Sequence, residues 1–141
     1  MLRLYSSLAP GGRAQAGSLV KRHFGQFDPE GIYMVYYESG VKGVVGVGRD
    51  DPAPWGGSWI MDLCVSEEGR GIGTRLFRWA EEMGGEYLWT TSPSFFRPLG
   101  WRVHSLWEGR HIMVPGTESM GPVASFEPFV ASEVVGGEFH S

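Results

Sequence analysis

The glycine-rich segment at residues 65–76 is the part of this sequence best suited to chemistry. It reads V-S-E-E-G-R-G-I-G-T-R-L, with glycines at positions 69, 71 and 73. The run before it is typical of a strand and the run after it of a helix. A helix N-terminus offers unpaired amides and a partial positive charge, and glycines let a ligand come close to the backbone. The segment therefore predicts a phosphate or pyrophosphate site at the start of a helix.

Two common nucleotide motifs are excluded by the residues of this segment. A phosphate loop of the NTPase type ends in Gly-Lys-Ser/Thr, whereas this segment ends in Gly73-Thr74-Arg75. A dinucleotide-binding turn reads G-x-G-x-x-G, whereas the glycines here read G-x-G-x-G. That second motif also requires a series of parallel βαβ units, and this chain has a predicted hairpin before the loop. The segment therefore predicts an anion site that is neither an NTPase phosphate loop nor a dinucleotide-binding turn.

The elements that must position this loop can be predicted on both sides of it. Strands are indicated by runs of aromatic and β-branched residues, and helices by apolar residues at helical spacing. The predicted elements are a first strand, a helix near 14–24, strands at 32–38 and 41–48 joined by a Ser39-Gly40 turn, a loop at 50–57, a strand at 58–65, a helix at 73–83, a strand at 87–91, a helical turn at 95–99 and two strands within 102–114. Residues 1–27 hold four basic residues and no acid, so a targeting presequence is the alternative interpretation of the N-terminus.

Composition limits the class of protein. The chain has 141 residues and one cysteine, which indicates a single domain without a disulfide framework or a multi-cysteine zinc site. No apolar run is long enough to cross a membrane, and a reduced thiol suits the cytoplasm. All 12 Lys and Arg precede residue 111, and the net charge of −4 comes from four acids after residue 114. We therefore expect a neutral domain at 1–114 and an acidic arm at 115–141, and nucleic acid is not favoured as a partner.

Three segments of the chain together resemble the GNAT N-acetyltransferase superfamily. Residues 68–73 (E-G-R-G-I-G) are similar to its acyl-CoA-binding motif, R/Q-x-x-G-x-G/A. Residues 95–101 (F-F-R-P-L-G-W) are similar to its F-Y-x-x-L-G-F segment, and the hairpin at 38–47 is similar to its second and third strands. The chain departs from the family at Glu68, where Arg or Gln is usual, and at Phe96, where many members have Tyr. The resemblance covers roughly residues 1–114.

This resemblance implies an α/β fold with a mixed, mostly antiparallel sheet flanked by helices and split between its central strands to admit CoA. It implies acyl transfer from acetyl-CoA or another acyl-CoA to the amine of a small molecule or protein, with no metal. The backbone of six loop residues would hold the pyrophosphate, and the main chain of two strand residues would pair with the pantetheine arm. These residues are Gly69, Arg70, Gly71, Ile72, Gly73 and Thr74 in the loop, and Cys64 and Val65 on the strand.

The catalytic candidates are side chains near this loop. Asp62 is a carboxylate inside an apolar strand, so it is the candidate base for the attacking amine, and Glu38 is a weaker one. Since Phe96 has no exchangeable proton, Ser94 is the candidate to protonate the leaving thiolate, with Ser92 or water as alternatives. Three other hypotheses are kept: a degenerate CoA-binding or interaction module, an enzyme that acylates a nucleic-acid base or a protein, and a homodimer formed through the C-terminal arm.

Overall fold

The computed structural model describes residues 1–48, 58–107, 109–116 and 124–125. Its strands are β1 (Leu2–Leu4), β2 (Ile32–Tyr37), β3 (Val41–Gly48), β4 (Trp59–Val65), β5 (Leu88–Thr90), β6 (Trp101–Trp107), β7 (Arg110–Pro115) and β8 (Ala124–Ser125). Its α-helices are α1 (Pro10–Phe24), α2 (Ile72–Glu82) and α3 (Pro93–Phe96), with 3₁₀ turns at Tyr5–Ser7 and Arg97–Leu99. The predicted loop at 50–57 and most of the predicted arm at 115–141, including any dimer contact through it, lie outside the described residues.

Two four-stranded sheets form the scaffold. The first has the order β1-β2-β3-β4, and the second has the order β5-β7-β6-β8. All neighbouring strands are antiparallel except β6 and β8, which are parallel. The hairpin turn between β2 and β3 lies at Ser39-Gly40, as predicted, and both residues have positive φ angles of 52° and 121°. The predicted mixed, mostly antiparallel α/β fold is confirmed.

The two sheets meet where β4 and β5 run side by side. The Ile60 N–H donates to the Tyr87 carbonyl at 2.9 Å, and the Glu86 N–H donates to the Ser58 carbonyl at 2.8 Å. Within the described part of the chain, backbone pairing between these strands is confined to this end. In the described residues, the far half of β4 therefore has β3 on one side and an unpaired edge on the other, which is the split that the family resemblance implies.

Helices α1 and α2 cover opposite faces of the first sheet. Gly43 allows α2 to pack closely on β3, because a Cβ there would lie 2.7 Å from Leu76 and 2.9 Å from Ile72. The buried face of α2 is Ile72, Leu76, Phe77 and Ala80. Helix α1 contacts β3 and β4 from the other side. It begins at Pro10, earlier than predicted, because proline suits a first helical position although Gly11-Gly12 weakens the sequence signal.

An aromatic core joins α2 to the second sheet. The Phe77 ring lies 5.2 Å from the rings of both Phe96 and Trp101, and all three side chains are buried. The Trp101 indole N–H donates to Glu81 at 2.7 Å, which ties the start of β6 to the end of α2. Packing of this density holds α2 and its N-terminal loop in one position. In the part of the chain that the structure describes, no helix is long and apolar enough to cross a membrane.

Candidate functional site

A pocket of about 360 Å³ opens between the far end of β4 and the start of α2. This volume lies in the range of small-molecule sites. Its wall is formed by residues 63–65, 67–74 and Phe95. The structure therefore brings all eight predicted cofactor-binding residues together around one space.

The loop owes its shape to two of its glycines. Gly69 and Gly71 have φ angles of 82° and 75°, which residues with a side chain rarely adopt. A Cβ on either residue would meet no atom of the protein within 4 Å, so the backbone conformation, rather than crowding, requires glycine there. Gly73 has no such requirement, and a Cβ there would be in ordinary contact with Phe95 at 3.5 Å. Two of the three predicted glycines thus serve the turn, and the third leaves room beside the helix.

The N-terminus of α2 is open to an anion. Gly71 is its N-cap residue, and no side chain forms a capping hydrogen bond there. The first backbone bond of the helix runs from the Arg75 N–H to the Gly71 carbonyl at 3.1 Å. The amides of Ile72, Gly73 and Thr74 therefore precede the first intrahelical donor, at the positive end of the helix dipole. This arrangement suits a phosphate group.

Charged side chains around the loop pair with one another. The Arg70 guanidinium donates to Glu38 at 2.8 Å and to Glu67 at 3.4 Å. Lys42 lies 3.9 Å from Glu67. Because Arg70 hydrogen-bonds to Glu38, the pKa of the Glu38 carboxyl is lowered, which makes this residue a poorer base. Glu68 adds a further carboxylate to the pocket wall, so backbone amides rather than Arg70 are the main attraction for an anion.

A β-bulge shapes β4 next to the pocket. Between the pairs Gly46–Met61 and Val44–Cys64, one residue of β3 faces two residues of β4, Asp62 and Leu63. Asp62 has a φ of 55°, in the left-handed region. Leu63 is on the pocket wall, and it is the β4 wall residue farthest from the loop. Asp62 therefore directly precedes the innermost wall residue in the chain, but it is not itself one of the wall residues.

The Asp62 carboxylate is buried and hydrogen-bonded. Tyr33 of β2 donates its hydroxyl to Asp62 Oδ2 at 2.5 Å. Burial raises the pKa of Asp62, and the hydrogen bond from Tyr33 opposes that rise. Burial, together with the neighbouring Asp62 charge, raises the pKa of Tyr33 far above its ordinary value. Sequence reasoning selected Asp62 but missed Tyr33 as its partner, because the two residues are 29 positions apart and nothing in the sequence signals the contact.

Cys64 lies on the pocket wall as a buried thiol. Burial, with a contribution from the Asp62 charge, raises the pKa of this thiol, so it stays protonated and is a poor nucleophile. Cys64 and Val65 belong to the half of β4 whose outer edge is unpaired in the described residues. Their main chain is therefore open to an extended ligand, as a strand edge would be.

The aromatic pair after β5 divides between pocket and core. Phe95 is on the pocket wall, whereas Phe96 is fully buried, 5.2 Å from the Phe77 ring. In this short helix, successive side chains point in different directions, so only one ring reaches the pocket. Ser94 is exposed and lies outside the pocket wall. Phe95 is thus the ring on the pocket wall, whereas Phe96, at the position where the family motif usually has Tyr, belongs to the core.

Comparison with known proteins identifies the fold. No family model matches the sequence, and no curated protein matches it significantly. Among solved structures, Escherichia coli ElaA aligns with a TM-score of 0.59 at 15% identity, covering 82% of this chain and 99% of that one. A GNAT family N-acetyltransferase, YhbS from Escherichia coli, solved in complex with CoA, aligns with a TM-score of 0.59 at 16% identity, covering 91% and 90%. The chain has the GNAT fold.

A third GNAT-fold match is similar over a shorter part of its own length. N-acetylglutamate synthase from Neisseria gonorrhoeae, complexed with coenzyme A and N-acetyl-glutamate, aligns with a TM-score of 0.54 at 17% identity. The alignment covers 84% of this chain and 36% of that one. At these identities the matches establish the GNAT fold alone. In the described part of this GNAT fold, no group of three or more His, Cys, Asp or Glu side chains is placed to hold a metal ion.

Proposed function

We propose that this protein is an N-acyltransferase that moves an acetyl or other acyl group from acyl-CoA to an amine. The observation that carries the proposal is the pocket, in which an uncapped helix N-terminus adjoins the unpaired edge of β4. A pyrophosphate and an extended amide-containing arm are the two parts of CoA that such a pocket suits. The CoA complexes among the structures with this fold support the same donor.

The donor is held mainly by backbone. Amides of residues 69–74 bind the pyrophosphate oxygens, because they lie at the open end of α2. The main chain of Cys64 and Val65 pairs with the amides of the pantetheine arm, as a further strand would. The thioester then lies near Leu63, at the inner end of the pocket. At the bulge, one residue of β4 has no partner in the ladder, so the backbone amide of Asp62 or Leu63 is available to the thioester oxygen.

The reaction is a direct attack. The neutral amine nitrogen adds to the thioester carbonyl carbon, the new C–N bond forms, and negative charge collects on the carbonyl oxygen. The nitrogen loses its proton to the Asp62 carboxylate, and the C–S bond then breaks to release CoA as thiolate. Phe95 and Phe96 have no proton to give, so the thiolate takes one from water. Ser94, the side-chain candidate from the sequence, is exposed and lies outside the pocket wall.

A CoA-binding module without turnover is the second candidate. It is favoured by the aromatic pair Phe95-Phe96, since neither ring carries a hydroxyl that could protonate a leaving thiolate. Positioning of two substrates can nevertheless lower a barrier by about 7–11 kcal/mol, compared with about 3–5 kcal/mol from a general acid. Loss of the acid alone therefore leaves an enzyme slower but active.

A thiol-release assay separates the two candidates. Acetyl-CoA is incubated with the protein and with a panel of primary amines, amino acids and a lysine-containing peptide, and free CoA thiol is measured together with the mass of the products. We expect thiol release that depends on the amine and equals the N-acetylated product. The Asp62→Asn variant should release thiol about 10²–10⁴-fold more slowly. Binding of acetyl-CoA with no N-acetylated product from any acceptor would contradict an enzyme and favour the module.

A further inference from the structure

We propose that Tyr33 is a positioning residue that holds the Asp62 carboxylate as the proton acceptor of the reaction. This inference depends on the proposed function, since it concerns the base of that reaction. Tyr33 does not touch the substrate in this proposal. It acts through Asp62, and the two side chains work as one buried pair.

The contact itself is short and enclosed. The Tyr33 hydroxyl donates to Asp62 Oδ2 at 2.5 Å, and the two residues are 3% and 9% exposed. The contact links two strands that are not neighbours, because Tyr33 lies on β2 and Asp62 on β4, with β3 between them. A charged hydrogen bond of this length both orients a carboxylate and stabilises its ionised form.

The surrounding chain makes room for the Tyr33 ring. A Cβ at residue 46 of β3 would lie 2.5 Å from the ring, so Gly46 is what allows Tyr33 to cross β3 toward Asp62. The edges of two further rings close the other side, with Phe27 at 5.2 Å and Tyr5 at 6.3 Å between ring centroids. The ring is therefore held in one orientation, and its hydroxyl has one place to point.

The backbone of β4 presents Asp62 to this hydroxyl. At the bulge, Asp62 takes a left-handed φ of 55°, a conformation that costs energy for a residue with a side chain. The next residue, Leu63, is on the wall of the pocket. The left-handed backbone of Asp62, the glycine at 46 and the hydrogen bond together fix the carboxylate of the residue that directly precedes Leu63 in the chain.

The proton balance assigns different tasks to the two groups. As the C–N bond forms, the nitrogen passes its proton to the Asp62 carboxylate, and Tyr33 keeps its own proton throughout. Burial raises the pKa of Tyr33, so it remains a donor at all working pH values. The charged or titratable groups that act on the pair are Cys64 on β4 and Asp28 after α1, with Arg22 of α1 acting on Cys64. None of the three ion-pairs with Asp62, so Tyr33 is its main stabilising contact.

The first arm of the test follows the Asp62 carboxyl directly, without any ligand. The protein has four aspartates, so labelling their side-chain carboxyl carbons with ¹³C and assigning Asp62 with Asp62→Asn gives its titration by NMR. Tyr33→Phe keeps the ring and removes the donor, and we expect Asp62 to titrate at higher pH in this variant. Tyr5→Phe is the matched control, because the Tyr5 ring also packs on Tyr33 and the substitution removes its hydroxyl. The Asp62 titration should stay unchanged in this control. An unchanged Asp62 titration in Tyr33→Phe would overturn the proposal.

The second arm measures acetyl transfer from acetyl-CoA to the same amine panel as a function of pH. In Tyr33→Phe we expect kcat to fall about tenfold, the effect of one hydrogen bond to a charged group, with KM for acetyl-CoA unchanged. The acidic limb of the rate profile should move to higher pH with the NMR titration. In the Asp62→Asn background, Tyr33→Phe should have no further effect on the rate. A purely structural role of Tyr33 would instead lower the rate in both backgrounds.

The outcomes separate this proposal from the function on which it depends. Native turnover with the same pH profile and kcat in Tyr33→Phe would overturn the positioning role and leave the acyltransferase intact. A native protein that binds acetyl-CoA and acetylates no acceptor would overturn both, because no proton is then transferred. Equal rate losses for Tyr33→Phe in the native and Asp62→Asn backgrounds would also overturn the positioning role.

Discussion

The sharpest prediction concerns the backbone of the loop, through the substitution Gly71→Ala. Gly71 has a φ of 75° and caps α2, and a Cβ there would meet no protein atom. The cost to the fold is then the left-handed conformation alone, about 1–2 kcal/mol for a residue with a side chain. For a chain of this length, that lowers the melting temperature by roughly 3–7 °C.

The effect on ligand binding should be larger and separate from this cost. The methyl group projects into the space where the pyrophosphate would meet the amides of α2. Loss of one hydrogen bond to a charged group costs about 1.5–3 kcal/mol, which corresponds to a roughly 10–150-fold weaker affinity for acetyl-CoA. Isothermal titration calorimetry with acetyl-CoA measures this loss directly.

Gly84→Ala is the matched control for this substitution. Gly84 also has a positive φ, 92°, and open space around its Cα, but it lies after the other end of α2. Both variants should lose similar stability, and only Gly71→Ala should lose affinity. Equal acetyl-CoA affinities for the two variants would refute the placement of the pyrophosphate at this helix N-terminus.

Three further predictions follow from the site. Glu68→Gln removes a carboxylate from the pocket wall and relieves about 1 kcal/mol of repulsion toward the phosphates. Calorimetry should therefore show acetyl-CoA binding about fivefold more tightly. Weaker binding would contradict this placement of Glu68. Phe96→Tyr buries a hydroxyl in the core against Phe77, so it should lower the free energy of unfolding by about 1–3 kcal/mol. Thiol release should not become faster in this variant. Faster release would mean that residue 96 reaches the thioester. Burial raises the pKa of Asp62 above its unfolded value, so its ionisation lowers stability as pH rises through that folded pKa. The Asn side chain of Asp62→Asn cannot ionise, so the free energy of unfolding of the variant, relative to that of the native protein, should rise from acid to neutral pH in urea denaturation. A difference between the two proteins that does not change with pH would contradict a buried, ionising carboxyl.

Most of the scaffold could be predicted because its signals are local. Runs of aromatic and β-branched residues marked β2, β3 and β4, and the apolar spacing of α2 placed that helix within one residue of its observed start and end. The loop was recognisable for the same reason, since its glycines and the helix after it are adjacent in the chain. The separation of β4 from β5 was expected only through the family resemblance, because no run of residues signals where two strands stop pairing.

The parts of the site that could not be predicted depend on long-range pairing. The Tyr33–Asp62 hydrogen bond needs both the register of three strands and a bulge in the third, and neither is visible in the sequence. The choice between Phe95 and Phe96 depends on how a single helical turn is rotated against the core. Arg70 was expected near the phosphates, and its pairing with Glu38 arises from the fold of the hairpin beside the loop.

Calorimetry with acetyl-CoA tests the central claim most directly, because both the N-acyltransferase and the module require that the pocket bind this donor. We predict saturable binding of one acetyl-CoA per chain to the native protein, weakened by Gly71→Ala and preserved in Gly84→Ala. Absence of any binding heat at millimolar acetyl-CoA, with the native protein folded, would contradict the assignment of this pocket to acyl-CoA.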